Sequence, residues 1–140
     1  MNGLLPVADA LRLMTGDVDV LKDHEIVDLH GASARVLADD LQALRTQPPF
    51  RASAMDGYAV RAADLPGTLA VIGESAAGHG FDGVVEAGEC VRIFTGAPLP
   101  DGADTVALQE NAEVLPDGGV RFAGGEETGR FVRPVGLDFR

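Results

Sequence analysis

One carboxylate stands out for its surroundings. Residues 48–61 read PPFRASAMDGYAVR, which sets Asp56 between an apolar Met55 and a flexible Gly57. Pro48 and Pro49 fix φ and push the residue before each of them out of the helical region, so whatever precedes them stops and the chain turns. Ser53 can accept a backbone N–H two or three residues on, Gly57 permits φ > 0, and Tyr58-Ala59-Val60 returns to an extended run. Residue types alone leave two readings open. The plain one, which residue types favour, is a rigid loop-to-strand entry in which Asp56 caps a turn, as aspartate commonly does; the other is a site carboxylate, which can hold a hard divalent ion or a transferable proton.

A second polar stretch follows about forty residues later. Thr95-Gly96-Ala97-Pro98-Leu99-Pro100-Asp101-Gly102-Ala103-Asp104 comes directly after the apolar run 90–94. It therefore puts a hydroxyl and a glycine at a strand end, where backbone N–H groups can face an anion. No lysine follows, which excludes a P-loop. The plain alternative is a proline-rich turn with solvated Asp101 and Asp104. Residues 78–83 spell GxGxxG, but Val84-Val85-Glu86-Ala87-Gly88 is too short and too β-branched for the helix that a dinucleotide site needs, so this is a loop between strands. His24, His30 and His79 share no ligand-like spacing with one another or with Cys90. Cys90, the single cysteine, excludes an internal disulfide and reads as a small core residue.

The elements that must position these groups are mostly β. At 140 residues, 46% hydrophobic and 24% charged, the chain can bury a core without staples. Most of its 18 glycines and 8 prolines fall after residue 47, which predicts turn-rich β structure there. Pro6 suits the first turn of a helix in which Val7, Ala10, Leu11 and Met14 share one face and which Gly16 ends. Residues 25–29 are a short extended candidate. Residues 34–44, ARVLADDLQAL, fit a helix by period or a helical turn leading into a strand. Strands are expected from residue 58 and at 69–72, 84–85, 90–94, 105–108, 112–115 and 120–122, with 113–122 as a hairpin around Pro116-Asp117-Gly118-Gly119. The net charge of −11 disfavours nucleic acid or an anionic membrane as a partner. No basic, apolar leader opens the chain and no apolar run nears the length of a membrane span, so a cytoplasmic protein is expected.

PPFRASAMDGYAVR followed by TGAPLP resembles the N-terminal half of the MoeA-type molybdopterin molybdenumtransferases, and the same module is similar to the gephyrin E domain. That resemblance extends over residues 28–140. It implies an α+β, mostly β fold in which a compact β domain, 48–127, is inserted into an elongated α/β first domain, 1–47 plus 128–140. It favours the turn-then-strand reading of 34–44. It implies insertion of molybdate into adenylated molybdopterin with release of AMP, Mg2+ as cofactor and a homodimer. Carried over by motif, Asp56 and Thr95 are the catalytic candidates and Asp56 the metal ligand. Ser53, Gly96, Gln109 and Glu110 are the substrate-binding candidates, with a solvated strand end as the plain reading of the last two.

Arg51 and Ala52 stand where many members carry Asp-Asn. In the tail, Arg133, Gly136 and Asp138 fit the pattern, whereas Val135 and Leu137 replace polar positions. The resemblance also implies an α/β substrate-binding domain and a C-terminal β domain without counterpart in these residues, so the chain alone is expected to be inactive. A non-catalytic dimerisation or partner-docking module is the competing function.

Overall fold

The structure, a computed structural model, describes residues 4–140, and the chain divides into two compact units, 1–41 and 42–140. In the first unit, α1 (Val7–Thr15) forms as its period predicts. Pro6 precedes it at φ −56°, a value its ring enforces, and its carbonyl accepts the N–H groups of Asp9 and Ala10. Gly16 follows the last turn. None of the helix's residues is buried, and Val7, Leu11 and Met14 are 75%, 55% and 74% exposed.

Two expectations for the residues after α1 are corrected. Residues 25–29 form no strand: Asp28 instead closes a turn through its side chain, accepting the Gly31 N–H at 2.8 Å. Residues 34–44 form neither the helix nor the turn-then-strand, only turns and irregular chain. The cause is missing burial. Val36, Leu37, Leu41 and Leu44 all point into solvent, and a helix of this length draws most of its stability from packing an apolar face.

The second unit holds all of the sheet found among the described residues, so the protein is mostly β with an α+β composition. Its strands are β1 (Ala52–Ser53), β2 (Gly57–Val60), β3 (Gly67–Ser75), β4 (Glu89–Ile93), β5 (Thr105–Leu108), β6 (Ala112–Val114), β7 (Val120–Phe122) and β8 (Val132–Arg133). Six of them form one sheet in the order β5-β2-β4-β3-β7-β6, and β1 pairs with β8 in a separate ladder. The nine-residue β3 joins two halves. It pairs antiparallel with β7 through 67–69 and parallel with β4 through 70–75, with a register shift between Val71 and Gly73. Two glycines make room for a ring: a Cβ on Gly73 would lie 2.5 Å from Phe81, and one on Gly83 2.4 Å from it.

Alternate residues of the same strands feed two separate cores, one on each face of the sheet. Ala59, Val85, Val91, Ile93, Leu99 and Val106 pack on one side, and Tyr58, Val60, Leu69, Cys90, Val120 and Phe122 on the other. Burial pushes the Cys90 thiol up to about 12, so it stays a neutral, inert core residue, as expected. The 113–122 hairpin forms with Glu113 opposite Arg121, and residues 78–83 are a loop between β3 and β4. The strand expected at 84–85 reduces to a single bridge from Val84 to Asp101. Tertiary pairing, not side-chain type, limits it.

The return segment docks on the entry to the sheet. Gln47 bridges Phe139, the Gly136 N–H donates to the Pro48 carbonyl at 2.9 Å, and the Ala54 N–H donates to the Phe131 carbonyl at 2.8 Å. Arg133 pairs with Asp138. No helix among the described residues is long and apolar enough to cross a membrane.

Candidate functional site

Asp56 sits in the tight connection between β1 and β2, and several constraints fix it there. Ser53 is fully buried, its hydroxyl donating to the Met55 carbonyl at 2.6 Å and accepting the Met55 N–H at 3.3 Å, the Asx-like turn that its position suggested. Gly57 plays a different part from the one expected. It does not adopt positive φ; a Cβ there would lie 2.1 Å from the Ala107 carbonyl oxygen, so glycine is required by the close approach of β2 to β5. The turn thus delivers Asp56 to the surface with little freedom.

The TGAP stretch meets it there. Asp56 Oδ1 accepts both the Thr95 N–H and the Thr95 hydroxyl, each at 2.8 Å, across 39 residues of sequence. The Thr95 N–H, followed by the Thr95 hydroxyl, holds the Asp56 carboxyl below its ordinary 3.8; the small desolvation of the site opposes this, and Arg92 adds a weaker push in the same direction. Thr95 lies in a turn that the Ala97 N–H closes on the Phe94 carbonyl at 2.9 Å, with Gly96 at φ +83° supplying the left-handed third residue that a type II turn requires. The backbone groups expected to face an anion are spent internally. Besides Thr95 N–H on Asp56 and Ala97 N–H on Phe94, the Gly96 N–H donates to the Ser53 carbonyl at 2.9 Å.

This hydrogen bonding sets the polarity of the exposed atoms. With its proton given to Asp56, the Thr95 hydroxyl turns lone pairs outward, and Asp56 keeps its second carboxylate oxygen, so the pair presents acceptors. Gln109 and Glu110 open a short 3₁₀ helix, Gln109–Asn111, at the end of β5, and both are exposed. The Gln109 N–H reaches the Asp56 carbonyl at 3.3 Å, which brings this pair beside the Asp56 turn. Asp56, Thr95, Gln109 and Glu110 therefore gather at one edge, with exposed Gly96 next to Thr95, while Ser53 lies beneath them without an exposed atom.

Sequence reasoning missed Arg92, which ties this edge together. Its guanidinium donates to the Gly57 carbonyl at 2.7 Å and to Gln109 Oε1, and lies over the rings of Tyr58 and Phe94, 5.2 and 4.8 Å from their centroids. The signal was available. A cation between Val91 and Ile93 in an otherwise apolar strand needs partners, and a planar fork is the shape that serves two acceptors and two aromatic faces at once.

Neither of two cavities, of about 340 and 430 Å3, is lined by Asp56 or Thr95; the first is bounded by Phe81, Val84 and Pro98, the second by Phe122 and Gly124. Among the described residues no group of three or more His, Cys, Asp or Glu is placed to hold a metal ion. For Mg2+ the fit is that of a single ligand: the free Asp56 oxygen can supply the one carboxylate that a hydrated ion often takes from protein, with waters and substrate oxygens completing the shell.

The family model for the MoeA N-terminal region (domain I and II) matches residues 5–140. A molybdopterin molybdenumtransferase of Haemophilus influenzae is 38% identical over 118 residues, 83% of this chain and 29% of its own length. That of a Nostoc species is 42% identical over 117 residues, 79% and 27%. Gephyrin of Dictyostelium discoideum is 29% identical over 151 residues, 96% and 21%. The crystal structure of a molybdopterin biosynthesis MoeA protein from Pyrococcus horikoshii superposes with a TM-score of 0.77 at 32% identity, covering 99% of this chain and 38% of that one. The chain thus spans less than a third of the length of these sequence relatives.

Proposed function

This chain belongs to the MoeA N-terminal-region family, and from that premise we propose that it serves molybdenum cofactor biosynthesis as the N-terminal portion of a molybdopterin molybdenumtransferase. The reaction assigned to the whole protein is insertion of molybdate into adenylated molybdopterin with release of AMP. One observation carries the reading to these residues: Asp56 and Thr95, far apart in sequence, are locked together by two 2.8 Å bonds on an exposed edge. A carboxylate needed only as a turn cap has no need of a partner 39 residues away.

In this proposal the chain supplies one wall of a site. Asp56 Oδ2 and the outward lone pairs of Thr95 bind donors or a cation on the substrate side, and the Thr95 N–H and hydroxyl keep Asp56 ionised for that task. Asp56 would hold Mg2+, whose charge would offset that of the oxyanions. Gln109, its Oε1 held by Arg92, donates one amide N–H to Glu110 Oε1 at 3.4 Å, which leaves its second amide hydrogen as the donor to substrate. Positioning of this kind contributes only when a facing surface holds the pterin within reach, so turnover is assigned to the whole protein and not to this wall alone.

The domain division, 1–47 plus 128–140 around 48–127, the homodimer and the cytoplasmic location belong to the same proposal. The bridge between Gln47 and Phe139 supports the first of these. The second reading, a non-catalytic dimerisation or docking module, is favoured by the exposed apolar face of α1.

Replacing Asp56 by Asn in the complete gene product separates the readings. Asn caps nearly as well as Asp, so a cap predicts unchanged melting and unchanged AMP release. The catalytic reading predicts unchanged melting with AMP release lowered roughly a hundredfold.

A further inference from the structure

The turn that carries Thr95 is gripped from two directions. On one side the backbone of β1 holds it: the Ser53 carbonyl accepts the Gly96 N–H, the Ser53 N–H donates to the Ala97 carbonyl, and the Arg51 carbonyl accepts the Leu99 N–H, each at 2.9 Å. These bonds depend on no side chain. On the other side stands Ser75, the last residue of β3, fully buried and paired in parallel with Ile93. Its carbonyl accepts the Phe94 N–H at 3.2 Å, and its hydroxyl donates to the Pro98 carbonyl at 2.8 Å. A single residue thus holds the chain one position before Thr95 and three positions after it.

We propose that Ser75 is a positioning residue: its buried hydroxyl fixes the 94–98 turn against the end of β3 and so sets the reach of Thr95 to Asp56. The physical case is one of satisfaction and leverage. A buried hydroxyl must find a partner, and among the hydrogen bonds that hold this turn the Ser75 hydroxyl supplies the contact to Pro98. Without it, the turn keeps its bonds to β1 and the backbone bond from the Phe94 N–H to the Ser75 carbonyl, but loses its tie to β3 on the far side of Thr95, at Pro98. Thr95 and Ala97 then swing with the turn, while the ladder of β2 and β4 is untouched. Arg92, which acts on Asp56 from that ladder, stays where it is.

The inference gains its functional meaning from the role proposed for Thr95, but its test needs neither ligand nor turnover. Amide hydrogen exchange is measured on the 140-residue chain with Ser75→Ala, and with Val120→Ala as a control that opens a cavity in the other core. The expected result is that the Thr95 and Ala97 amides of Ser75→Ala exchange about tenfold or more faster relative to the Ala59 amide. Val120→Ala speeds all of them by a common factor. A common factor in Ser75→Ala as well, or no change, overturns the proposal. If Ser75→Ala does not fold, Ser75→Cys keeps the space filled with a weaker donor and carries the same comparison. Because Asp56→Asn is read by AMP release and Ser75→Ala by exchange, either can fail while the other stands.

Discussion

Residues 1–41 and 42–140 both carry apolar side chains, yet among the described residues only the second unit buries them. In it Val60, Val91, Ile93 and Val106 have no exposed surface, and paired strands bring them together from positions 60 to 106. In the first unit Val7, Leu11, Leu13 and Met14 of α1, then Ile26, Leu29 and Val36, stand in solvent. The difference teaches where each unit finds its partner. The sheet is its own partner; the amphipathic face of α1 is a surface made for something else, and under the proposed reading that is a second copy of the chain or the remainder of the protein.

The sharpest way to break this comparison is to truncate one apolar residue from each unit. Ile93→Ala empties a fully buried site and should destabilise the chain by about 2–5 kcal/mol. Leu11→Ala, on a helix without buried residues, should change chemical denaturation by no more than about 0.5 kcal/mol. Equal effects would mean that α1 is packed as firmly as the sheet.

A subtler outcome concerns association. If the α1 face meets a second copy, the 140-residue chain should show concentration-dependent sedimentation, and Leu11→Asp with Met14→Asp should shift it towards monomer without altering the melting of the sheet. Strictly monomeric sedimentation at high concentration would remove the homodimer from the proposal and leave the face to another domain.

How much of this was legible follows the same division. β5 and β7 begin and end where the branched runs 105–108 and 120–122 do, because strand runs bounded by Gly, Pro or Asp are local signals. The hairpin was readable for the same reason. Residues 25–29 and 34–44 were misread because periodicity reports an amphipathic face, not whether anything covers it. At the site, Asp56 and Thr95 were legible as motif residues, but their mutual bond was not, since no spacing rule links positions 39 apart. Gly57 looked like a turn glycine and proved to be a close-approach glycine, a distinction that needs the neighbouring strand. Ser75 was passed over because it acts on a backbone carbonyl, which leaves no trace in residue types, whereas Arg92, a cation between Val91 and Ile93, left a signal that went unread.

The smallest expected effect is the pH dependence carried by Asp56. Its carboxyl is held below 3.8, first by the Thr95 N–H and then by the Thr95 hydroxyl, so the ionised form is favoured in the folded chain. The sign follows from linkage: a depressed folded value stabilises fully above the unfolded value, and the contribution is lost as pH falls through the folded one. Asp56→Asn removes the titration but leaves an acceptor for the Thr95 groups. The gap in melting temperature between the parent chain and Asp56→Asn should therefore be constant at neutral pH and shift against the parent only as pH drops below 3.8. The gap will be slight, because the site is open to water and solvent screens its charges. A gap that stays constant as pH falls through and below 3.8 would show that the Thr95 bonds do not hold in solution, because equal folded and unfolded values leave no pH dependence, and the exposed edge would then be as loosely tied as the first unit.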